Sequence, residues 1–578
     1  MKKNHFVRSG IIAAGIPLAL GLFGCSDSSS QASQQPATPP PLPIGNLIGL
    51  APEGLQYSTA TQQGLTGAGG SFEYRNGETI TFSLGGTPLG SAEAQAELDL
   101  FDLVGLSSPP VGAAAISKAT ITPDRTGGVQ AAQRVAQLLF AFDDDADASN
   151  GVQISSAIRT RLESIDFRVT GVSDEYLMED MKRTVRASVA AGEMSVRVIP
   201  TLDEAMQSLY DGLGIETGLV SAGRTVTDGD ADGTPDSAEI YRFDATGLPI
   251  EYQTDDTGSG TIRFRQLIQY FSPSRRSVSE SDMNNDGIDQ IRTYSYDDFG
   301  ELVLEEIDND GQPGLDEIVT ISYDENGALV FRERLNVAAG TSLIQQFNTD
   351  AAGNRTEYLI DNEGDGIFDR RDTFVYNEFR DWTRREIDDN NDGIVDQILT
   401  RAFNSRGIQT LATEDRDADG VPNRTTEFVI DADNRVSRAI YDLDGDSTIE
   451  FTVDYTYNAN GRQVRAVTDR TGLNRPTVTV NTEFDGSGNR TRVSTDSTGD
   501  GQPNDITTYD FDADGFPTSE VRDRDADGVA DSRTDFSVNL DGVITERRID
   551  READGVVDVV VQFLELSPVH PAWFGEDD

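Results

Sequence analysis

Most of the chain is organised around one kind of segment, and its clearest copy is Asp523-Arg524-Asp525-Ala526-Asp527-Gly528-Val529-Ala530-Asp531. Counted from Asp523, aspartates stand at positions 1, 3, 5 and 9, and a glycine stands at position 6. Calcium takes about six to eight oxygen ligands, and glycine at position 6 permits the sharp bend of a calcium-coordinating loop. The segment therefore predicts such a loop, with carboxylates at these positions and a backbone carbonyl at position 7.

The same arrangement recurs along the C-terminal two-thirds of the chain. In two copies, Glu239 and Asp372 occupy position 12, where a full EF-hand has a bidentate acid. We expect these two loops to be the most complete, while the others need a ligand from a neighbouring unit or from water. The predicted metal ligands are Asp228, Asp230, Asp232, Asp236 and Glu239; Asp361, Glu363, Asp365, Asp369 and Asp372; Asp388, Asn390, Asp392 and Asp396; Asp415, Asp417 and Asp419; Asp523, Asp525, Asp527 and Asp531; and Asp550, Glu552, Asp554 and Asp558.

The alternative interpretation of these segments is that they are solvated acidic turns without a metal. A single loop would leave the two interpretations about equal. Repetition favours the metal, because each loop brings like charges within a few ångströms and carboxylates so placed repel one another without a cation. The sequence thus predicts Ca²⁺ in at least some loops. Mg²⁺ is disfavoured because it demands a tighter octahedron.

The acidic loops belong to a repeat with a period of 27 residues. The aspartates at position 5 fall at residues 232, 286, 365, 392, 419, 446, 500, 527 and 554. Aromatic residues follow them by nine and eleven residues, as at Tyr455 and Tyr457, and this spacing places both rings on one face of a strand. About thirteen such units fit into residues 223–566.

Each aromatic strand is followed by a tight turn of the form Asx-x-x-Gly, as in Asp512-Ala-Asp-Gly515. The Asp or Asn starts the turn by accepting hydrogen bonds from nearby backbone, and the glycine adopts positive φ. Each unit is then loop, strand, turn and strand, which predicts a mainly β protein with a long antiparallel meander of hairpins. The pattern leaves open whether this meander is a spiral, an open sheet or a pair of sheets.

Two known kinds of repeat share these motifs. The segments Tyr455-Thr-Tyr457-Asn-Ala-Asn-Gly461-Arg462 and Tyr294-Ser-Tyr296-Asp-Asp-Phe-Gly300 resemble YD repeats of the RHS type, which form spiralling β-sheets in large bacterial surface and toxin shells. The acidic loops resemble those of thrombospondin type 3 repeats and the front half of EF-hands. The resemblance implies strand pairing and calcium. The chain departs from these families because no helices flank the loops and no cysteines pair them.

The N-terminus has the features of an export signal. Basic residues precede a short apolar run, Ile11–Phe23, which ends just before Cys25, the only cysteine. This arrangement resembles the lipobox of bacterial lipoproteins and implies a signal peptide over residues 1–25 with lipidation of Cys25. The alternative is an ordinary signal peptide with an incidental cysteine. With Ser26 after the cysteine, the resemblance to lipoproteins further implies the outer membrane, facing the periplasm or the cell surface. Residues 26–45 are rich in Ser, Gln and Pro and predict an extended tether.

Between the tether and the array, two further regions are expected. Alternating apolar residues around Asn76-Gly77 predict a β-hairpin within a small β-module over residues 46–110. Helical periodicity predicts a helical domain over residues 111–222, in which Thr201-Leu-Asp-Glu204 forms a capping box. Residues 567–578 form an acidic tail.

Composition excludes several functions. With 100 acidic and 47 basic residues, the formal charge is −53, so phosphate backbones are repelled and nucleic-acid binding is excluded. Only two histidines are present, which argues against Ser-His-Asp catalysis. We expect no enzyme but a calcium-binding, lipid-anchored structural or adhesive surface protein, bound to the membrane through its lipid and to a glycan or protein ligand. The alternative is a surface enzyme that acts on polysaccharides with paired carboxylates.

Overall fold

The computed structural model describes residues 41–120, 127–147, 150–169 and 174–574. The predicted signal segment, with its lipidation site Cys25, and most of the tether lie outside these residues. So does the end of the acidic tail. From Pro43 onward the chain forms one compact unit. In the described residues, no helix has both the length and the apolar composition that crossing a bilayer requires.

Two small sheets open the described chain. One has the strand order β4-β1-β7 and the other the order β3-β2-β5-β6. Their side chains alternate between buried and exposed, and the buried ones include Phe72 and Phe82. The strands are β1 (Ile44–Leu47), β2 (Gln56–Ser58), β3 (Gln63–Leu65), β4 (Ser71–Glu73), β5 (Thr79–Leu84), β6 (Thr87–Glu93) and β7 (Glu97–Leu98).

The hairpin predicted around Asn76-Gly77 is wrong. Strands β4 and β5, which flank this turn, belong to different sheets, where β4 pairs with β1 and β5 pairs with β2 and β6. The hairpin in this region joins β5 to β6 through Gly85-Gly86, with Leu84 opposite Thr87. The local turn signal at Asn76-Gly77 is real, since Glu78 donates to the carbonyl of Arg75, but pairing with more distant strands decides the partners.

Helices follow the small sheets and pack on them. Helix α3 buries Val135, Leu138 and Leu139, which lie on the face that periodicity predicts. The predicted capping box at the start of α6 is confirmed, because Thr201 Oγ1 accepts the N–H of Glu204 while the Glu204 carboxylate accepts the N–H of Thr201. The helices are α1 (Leu100–Leu103), α2 (Ala113–Lys118), α3 (Val129–Ala141), α4 (Ser156–Leu162), α5 (Asp174–Ala190), α6 (Leu202–Leu213) and, near the C-terminus, α7 (Pro571–Phe574).

The rest of the chain is one antiparallel sheet of 26 strands, which we call the array. The first thirteen strands are β8 (Val220–Asp228), β9 (Ser237–Phe243), β10 (Pro249–Asp255), β11 (Phe264–Ser272), β12 (Arg275–Asp282), β13 (Gln290–Tyr296), β14 (Leu302–Asp308), β15 (Glu317–Tyr323), β16 (Leu329–Asn336), β17 (Thr341–Thr349), β18 (Arg355–Asp361), β19 (Arg370–Tyr376) and β20 (Trp382–Asp388). The others are β21 (Gln397–Phe403), β22 (Gln409–Asp415), β23 (Arg424–Ile430), β24 (Val436–Asp442), β25 (Phe451–Tyr457), β26 (Gln463–Asp469), β27 (Val478–Phe484), β28 (Arg490–Asp496), β29 (Asp505–Phe511), β30 (Pro517–Asp523), β31 (Ser532–Val538), β32 (Ile544–Asp550) and β33 (Val559–Pro568). The predicted mainly β fold with an antiparallel repeat is confirmed.

The sheet closes on itself, so it is none of the three arrangements, a spiral, an open sheet or a pair of sheets, that the sequence pattern leaves open. Each strand pairs with its neighbours in the chain, and the last strand, β33, pairs with the first, β8, from Val560 opposite Asp228 to Pro568 opposite Val220. Because consecutive strands are antiparallel, connections alternate between the two ends of the sheet. The acidic segments follow the even-numbered strands and lie at one end, the loop end. The tight turns follow the odd-numbered strands and lie at the other, the turn end.

The tight turns have the predicted geometry. In the turn that starts at Asp512, the carboxylate Oδ1 accepts the N–H groups of Asp514 and Phe516, and Gly515 has a φ of 88°. Two turns place a larger residue in the glycine position, Arg380 with a φ of 65° and Asn434 with a φ of 63°. The predicted Asx turn is therefore confirmed, and it tolerates a non-glycine residue at its last position.

Aromatic side chains and arginines pack on the faces of the array. The hydroxyl of Tyr457 donates to the carbonyl of Val436 at 2.7 Å, and Tyr296 makes the equivalent bond to Arg276. Arginine guanidinium groups lie over the rings, as Arg435 does over Tyr457. Such contacts are worth roughly 0.5–1 kcal/mol at exposed sites. Most strand residues are only half-buried, so the array is held mainly by its hydrogen-bond ladder and these stacks.

Helix α5 of the N-terminal region lies against the turn end of the array. Lys182 pairs with Glu301 at 2.9 Å, and Arg186 pairs with Asp297 at 3.0 Å. The guanidinium of Arg380 bonds to the carboxylates of Glu179 and Asp180. Successive turns of the array therefore hold this helix in one position.

Candidate calcium-binding loops

The loop between β20 and β21 shows how the acidic side chains are arranged. The carboxylate of Asp388, at position 1, accepts the N–H of Gly393 at 2.8 Å and that of Asp392 at 3.1 Å. The side chain of Asn390 accepts the N–H of Asp392 at 3.0 Å. At position 9, Asp396 accepts the N–H of Asp389 at 2.8 Å. Side chains at positions 1, 3 and 9 are thereby tied to the same short stretch of backbone.

Two residues of this loop adopt left-handed backbone conformations. Position 4 is Asn391 with a φ of 51°, and position 6 is Gly393 with a φ of 89°. The same pair recurs in other loops, where position 4 is an alanine, as in Ala418 with a φ of 51°. Alanine at positive φ is unfavourable by about 1 kcal/mol or more. Other interactions must therefore offset the free-energy cost of this left-handed conformation.

The carboxylate at position 1 is buried in several loops. Asp388 is 6% exposed and Asp361 is 1% exposed. Burial raises the pKa of Asp361, but hydrogen bonds from the N–H groups of Gly366, Gly364 and Asp365 outweigh it, and the pKa lies below its usual value of 3.8. This residue is therefore ionised at neutral pH and sits as a fixed negative charge at the base of the loop.

Acids at positions 3 and 9 face one another across two of the loops. The charge of Asp369 raises the pKa of Glu363 above its usual value of 4.5, and burial adds to the effect. The charge of Asp558 does the same to Glu552. A divalent cation between such a pair would remove this repulsion, because it interacts favourably with both carboxylates.

Several loops bring acid oxygens within 4.8 Å of one another, which is the spacing of ligands around one ion. Of the predicted ligands, Asp228, Asp230 and Asp236 converge in this way. Three further groups lie on the same repeat but not among the predicted ligands, although the predicted register already places Asp286 and Asp446 at position 5. These groups are Asp282, Asp286 and Asp289; Asp308, Asp310 and Asp316; and Asp442, Asp444, Asp446 and Glu450.

These three groups depart from the pattern, and the loop at Asp308 does so at two positions, with Gln312 at position 5 and Pro313 at position 6. The loop at Asp282 is one residue shorter, so its closing acid is Asp289 at position 8. The loop at Asp442 has Ser447 in place of the glycine, and Ser447 nevertheless adopts a φ of 69°. The 27-residue register includes two of these loops through Asp286 and Asp446, and its extension to imperfect copies would have added the loop at Asp308.

Asp372 and Glu239, predicted at position 12, differ from the other predicted ligands because they lie within strands and not in the loops. Asp372 lies within β19 and is fully buried, and its carboxylate bonds to Arg370 at 3.0 Å and to Arg385 at 3.1 Å. Two arginines already neutralise this carboxylate, so it does not fit the role of calcium ligand. Glu239 lies within β9 with an exposed side chain.

The other predicted ligands lie in the segments that join the even-numbered strands to the next strand. Asp361, Asp388, Asp415, Asp523 and Asp550 are the last residues of β18, β20, β22, β30 and β32. Asp228 likewise ends β8, the remaining ones follow in the connections, and all of them lie at the loop end. The candidate metal ligands are therefore the side chains at positions 1, 3, 5 and 9 of each loop.

Neighbouring loops touch one another. The side-chain amide of Asn391, at position 4 of its loop, donates to the carbonyl of Phe368, at position 8 of the preceding loop, at 2.9 Å. Where position 4 is Gly445, a Cβ would lie 2.2 Å from the carbonyl oxygen of Pro422, again at position 8 of the preceding loop. Glycine is required there by close approach as well as by its φ of 74°. The loops thus form a continuous rim.

Comparison with known proteins adds little to this geometry. No protein family matches the chain, and no curated protein matches it. Among solved structures, the TcdB2-TccC3-Cdc42 complex has a TM-score of 0.31 at 15% identity, covering 58% of this chain and 20% of that one. A Tc holotoxin pore of Photorhabdus luminescens has a TM-score of 0.21 at 13% identity, covering 55% and 22%.

A porin-like protein from Bacteroides uniformis has a TM-score of 0.18 at 12% identity, covering 47% of this chain and 93% of that one. The chain thus spans about a fifth of the length of the toxin chains that it resembles. Similarities of this size indicate nothing about activity. The proposal of a function therefore depends on the geometry of the loops.

Proposed function

We propose that this protein is a calcium-binding, lipid-anchored surface protein with a structural or adhesive role, whose array is made rigid by Ca²⁺ at the loop end. The observation that carries the proposal is the convergence of acid oxygens in successive loops around one rim of a closed sheet. A hard cation with flexible coordination fits a set made of carboxylates, an amide and a backbone carbonyl.

The energetics of the array favour such a role for metal. The described part of the array has few fully buried apolar side chains, such as Ile307 and Val319, and no disulfide can form with one cysteine. An ion that binds only the folded state adds about 2.7 kcal/mol per site when its concentration is a hundredfold above Kd. Four occupied loops would then contribute roughly 11 kcal/mol, comparable to the whole stability of an ordinary domain.

Contact between loops gives a reason for cooperativity. Calcium is coordinated by the carbonyl at position 7, and the carbonyl at position 8 accepts a bond from the next loop in the case of Phe368 and Asn391. Ordering one loop therefore restricts the residue at position 4 of the next loop. That residue adopts a left-handed backbone conformation, which the contact helps to hold. We expect calcium to bind the rim with positive cooperativity, because a loop next to an ordered one loses less conformational entropy.

The proposed location follows from the N-terminal sequence. Lipidation at Cys25 would attach the chain to a membrane, and the Ser/Gln/Pro-rich tether would hold the array away from it. Outside the cytoplasm calcium is abundant, so the array would be permanently loaded and would act as a scaffold. A rigid closed sheet on a tether suits a protein that presents a surface to a glycan or to another protein.

A calcium titration of the whole chain, with loop variants, tests the proposal. Asp388→Asn removes a position-1 charge and should lower the number of calcium ions bound, measured by isothermal titration calorimetry. Asp541→Asn is the matched control, because Asp541 is an exposed turn residue at the opposite end of the sheet. Unchanged binding in Asp388→Asn, or absence of binding by the unaltered chain at millimolar calcium, would contradict the proposal.

A further inference from the structure

A cavity of about 720 Å³ lies between helix α5 and the strands β15–β22, at the turn end of the array. Its size falls within the range of about 300–1,000 Å³ that ligand-binding cavities occupy. The acidic loops lie at the other end of the sheet, so this cavity is separate from the proposed calcium sites. Nothing in the calcium proposal explains why the two regions leave such a space between them.

Aromatic rings form much of the cavity wall. Helix α5 contributes one ring, the two aromatic columns of the repeat contribute four, and Trp382, at the start of β20, contributes the sixth. The rings are those of Tyr176, Tyr323, Phe374, Tyr376, Trp382 and Phe403. All six are half-buried, which leaves part of each ring facing the open space.

The wall that α5 provides is held rigidly. Arg380 is the turn residue with a φ of 65°, an uncommon conformation for arginine. Its guanidinium donates to Asn354 at 2.7 Å and to Glu179 at 3.2 Å, and lies 5.6 Å from the centre of the Tyr176 ring. Backbone strain that is maintained by several contacts marks a position where geometry matters. The cavity is therefore preformed.

The charges around the cavity favour neither a cation nor an anion, because its lining carries three acidic and three basic side chains: Glu175, Glu179, Asp381, Lys182, Arg355 and Arg401. A cation has poor access to the rings, because Arg401 lies 3.8 Å from the centre of the Trp382 ring and Arg380 lies over Tyr176. An anion would meet the carboxylates of Glu175, Glu179 and Asp381.

A purely apolar ligand is also disfavoured. Burial raises the pKa of Glu179 and of Asp381, so both carboxyl groups already lack full solvation. An apolar molecule would displace the water that still reaches them and would offer no hydrogen bond in exchange, leaving Glu179 only Arg380 and Asp381 only Asn377 as partners. The remaining class is a neutral molecule with hydroxyl groups at its edge and apolar faces, which describes a sugar ring.

Polar groups suited to hydroxyls line the same space. Burial raises the pKa of Tyr376 to about 12, so its hydroxyl is a donor at neutral pH. The side chains of Gln409 and Arg355 add further donors, and Asp381 adds acceptors. Aromatic faces for the apolar side of the ring and mixed donors and acceptors for its edge are thus present together.

We propose that this cavity binds a neutral oligosaccharide, with its aromatic rings against the faces of the sugar rings and Asp381 and Gln409 bonded to the hydroxyls. The inference rests on the adhesive part of the proposed function and gives its ligand a chemical class and a place. It does not depend on which loops hold calcium.

The chain supplies its own reporter for the test, because it has two tryptophans and only Trp382 lines the cavity. Trp573 lies elsewhere, 5.3 Å from the ring of Tyr241. In Trp573→Phe, all tryptophan fluorescence comes from Trp382. We expect a saturable change in its emission on titration with at least one of five neutral tetrasaccharides, those of β-1,4-glucan, β-1,3-glucan, α-1,4-glucan, β-1,4-xylan and chitin, in buffer with millimolar calcium.

A matched pair of variants locates the binding. Phe403 and Phe484 occupy equivalent positions three repeats apart, and only Phe403 lines the cavity. In the Trp573→Phe background, Phe403→Ala should weaken binding by about tenfold or more, while Phe484→Ala should leave it within about twofold. Equal loss in both variants would contradict the assignment to this cavity.

Two other results would overturn the proposal. One is the absence of a saturable change with all five tetrasaccharides while the protein melts cooperatively. The other is tighter binding of tetramethylammonium chloride, which would identify the cavity as a cation site. Calcium-dependent melting without sugar binding would reject only this inference, and sugar binding without any effect of calcium would reject only the proposed role of calcium.

Discussion

The N-terminal region and the array solve the problem of stability in different ways. Residues 47–210 enclose an apolar core in which large side chains such as Phe142, Phe167 and Tyr210 are fully buried. The array is longer, yet most of its strand residues are half-buried, and its buried groups include a series of aspartates. One chain therefore contains a region stabilised by apolar burial and a region stabilised by backbone pairing, stacking and charge.

The difference teaches where an external stabiliser is needed. Apolar burial contributes roughly 25 cal/mol per Å² without any cofactor. Carboxylates that face one another at positions 3 and 9 oppose folding unless a cation compensates their repulsion. The two regions should therefore respond in opposite ways to removal of calcium and to truncation of apolar side chains.

Removal of calcium should have the largest effect, and it should fall on the array alone. With EGTA in excess, we expect the array to lose roughly 11 kcal/mol if four loops are occupied. Differential scanning calorimetry should show a transition that moves to much lower temperature, while a second transition from the N-terminal region stays in place. Identical traces with calcium and with EGTA would contradict the comparison.

Truncation of the N-terminal core should have the reverse selectivity. Leu138→Ala removes a fully buried side chain from α3 and should destabilise the N-terminal region by about 2–5 kcal/mol. Calcium binding should be unchanged in this variant, as measured by titration calorimetry. Val375→Ala, at an exposed position of β19, is the control and should alter neither property.

Truncation of one rim carboxylate should have an intermediate effect that depends on calcium. In Asp388→Ala, the N–H of Gly393 loses its acceptor and the N–H of Asp392 keeps only the side chain of Asn390, which should cost about 1–3 kcal/mol. Calcium should restore less stability to this variant than to the unaltered chain, as followed by urea unfolding at several calcium concentrations. An equal calcium-dependent gain in both proteins would show that this loop holds no ion.

Acidification should weaken the effect of calcium before it unfolds the array. The pKa of Glu363 and that of Glu552 are raised above 4.5 by the facing aspartates, so protons compete with calcium as the pH falls through those raised values. Without calcium, protonation in that window relieves repulsion, and stability should rise slightly. The pKa values of Asp361 and Asp496 are lowered below 3.8, so the stability they contribute is lost as the pH falls through the lowered values. Thermal melts from pH 7 to pH 3, with and without calcium, check both signs.

Loss of a helix cap should have the smallest effect. Thr201→Ala removes the acceptor of the capping box that opens α6 and should cost about 1 kcal/mol, seen in the transition of the N-terminal region only. Thr201→Ser keeps the oxygen and should retain most of the stability. A shift of the array transition instead would show that the two regions unfold together.

Sequence periodicity predicts much of the array and fails at particular points. The 27-residue register, the aromatic columns and the Asx turns follow from local chemistry, because each repeat carries its own turn and strand signals. Closure of the sheet could not be predicted, because it depends on the pairing of β33 with β8. The sequence of Val220–Asp228 does not indicate which strand it pairs with. The prediction of a hairpin at Asn76-Gly77 was wrong for the same reason, because β4 and β5 pair with strands that are more distant in the sequence.

The candidate sites show the same limit. Spacing along the chain places Asp372 at position 12, but the neighbouring strand supplies Arg385, which bonds to its carboxylate. The cavity beside α5 combines Tyr176 with strand residues more than 140 positions later, and no local pattern connects them. Periodicity thus identifies what each repeat contributes, while contacts between regions decide which side chains remain available.

Hydrogen exchange of the whole chain, resolved by mass spectrometry with calcium and with EGTA, tests the central claim most directly. Calcium should increase the protection of backbone amides in β18–β24 and in the loops between them by at least about tenfold. Peptides from α3 and α6 should exchange at the same rate in both conditions. Equal protection of the array with and without calcium, or a change confined to the helices, would contradict the account.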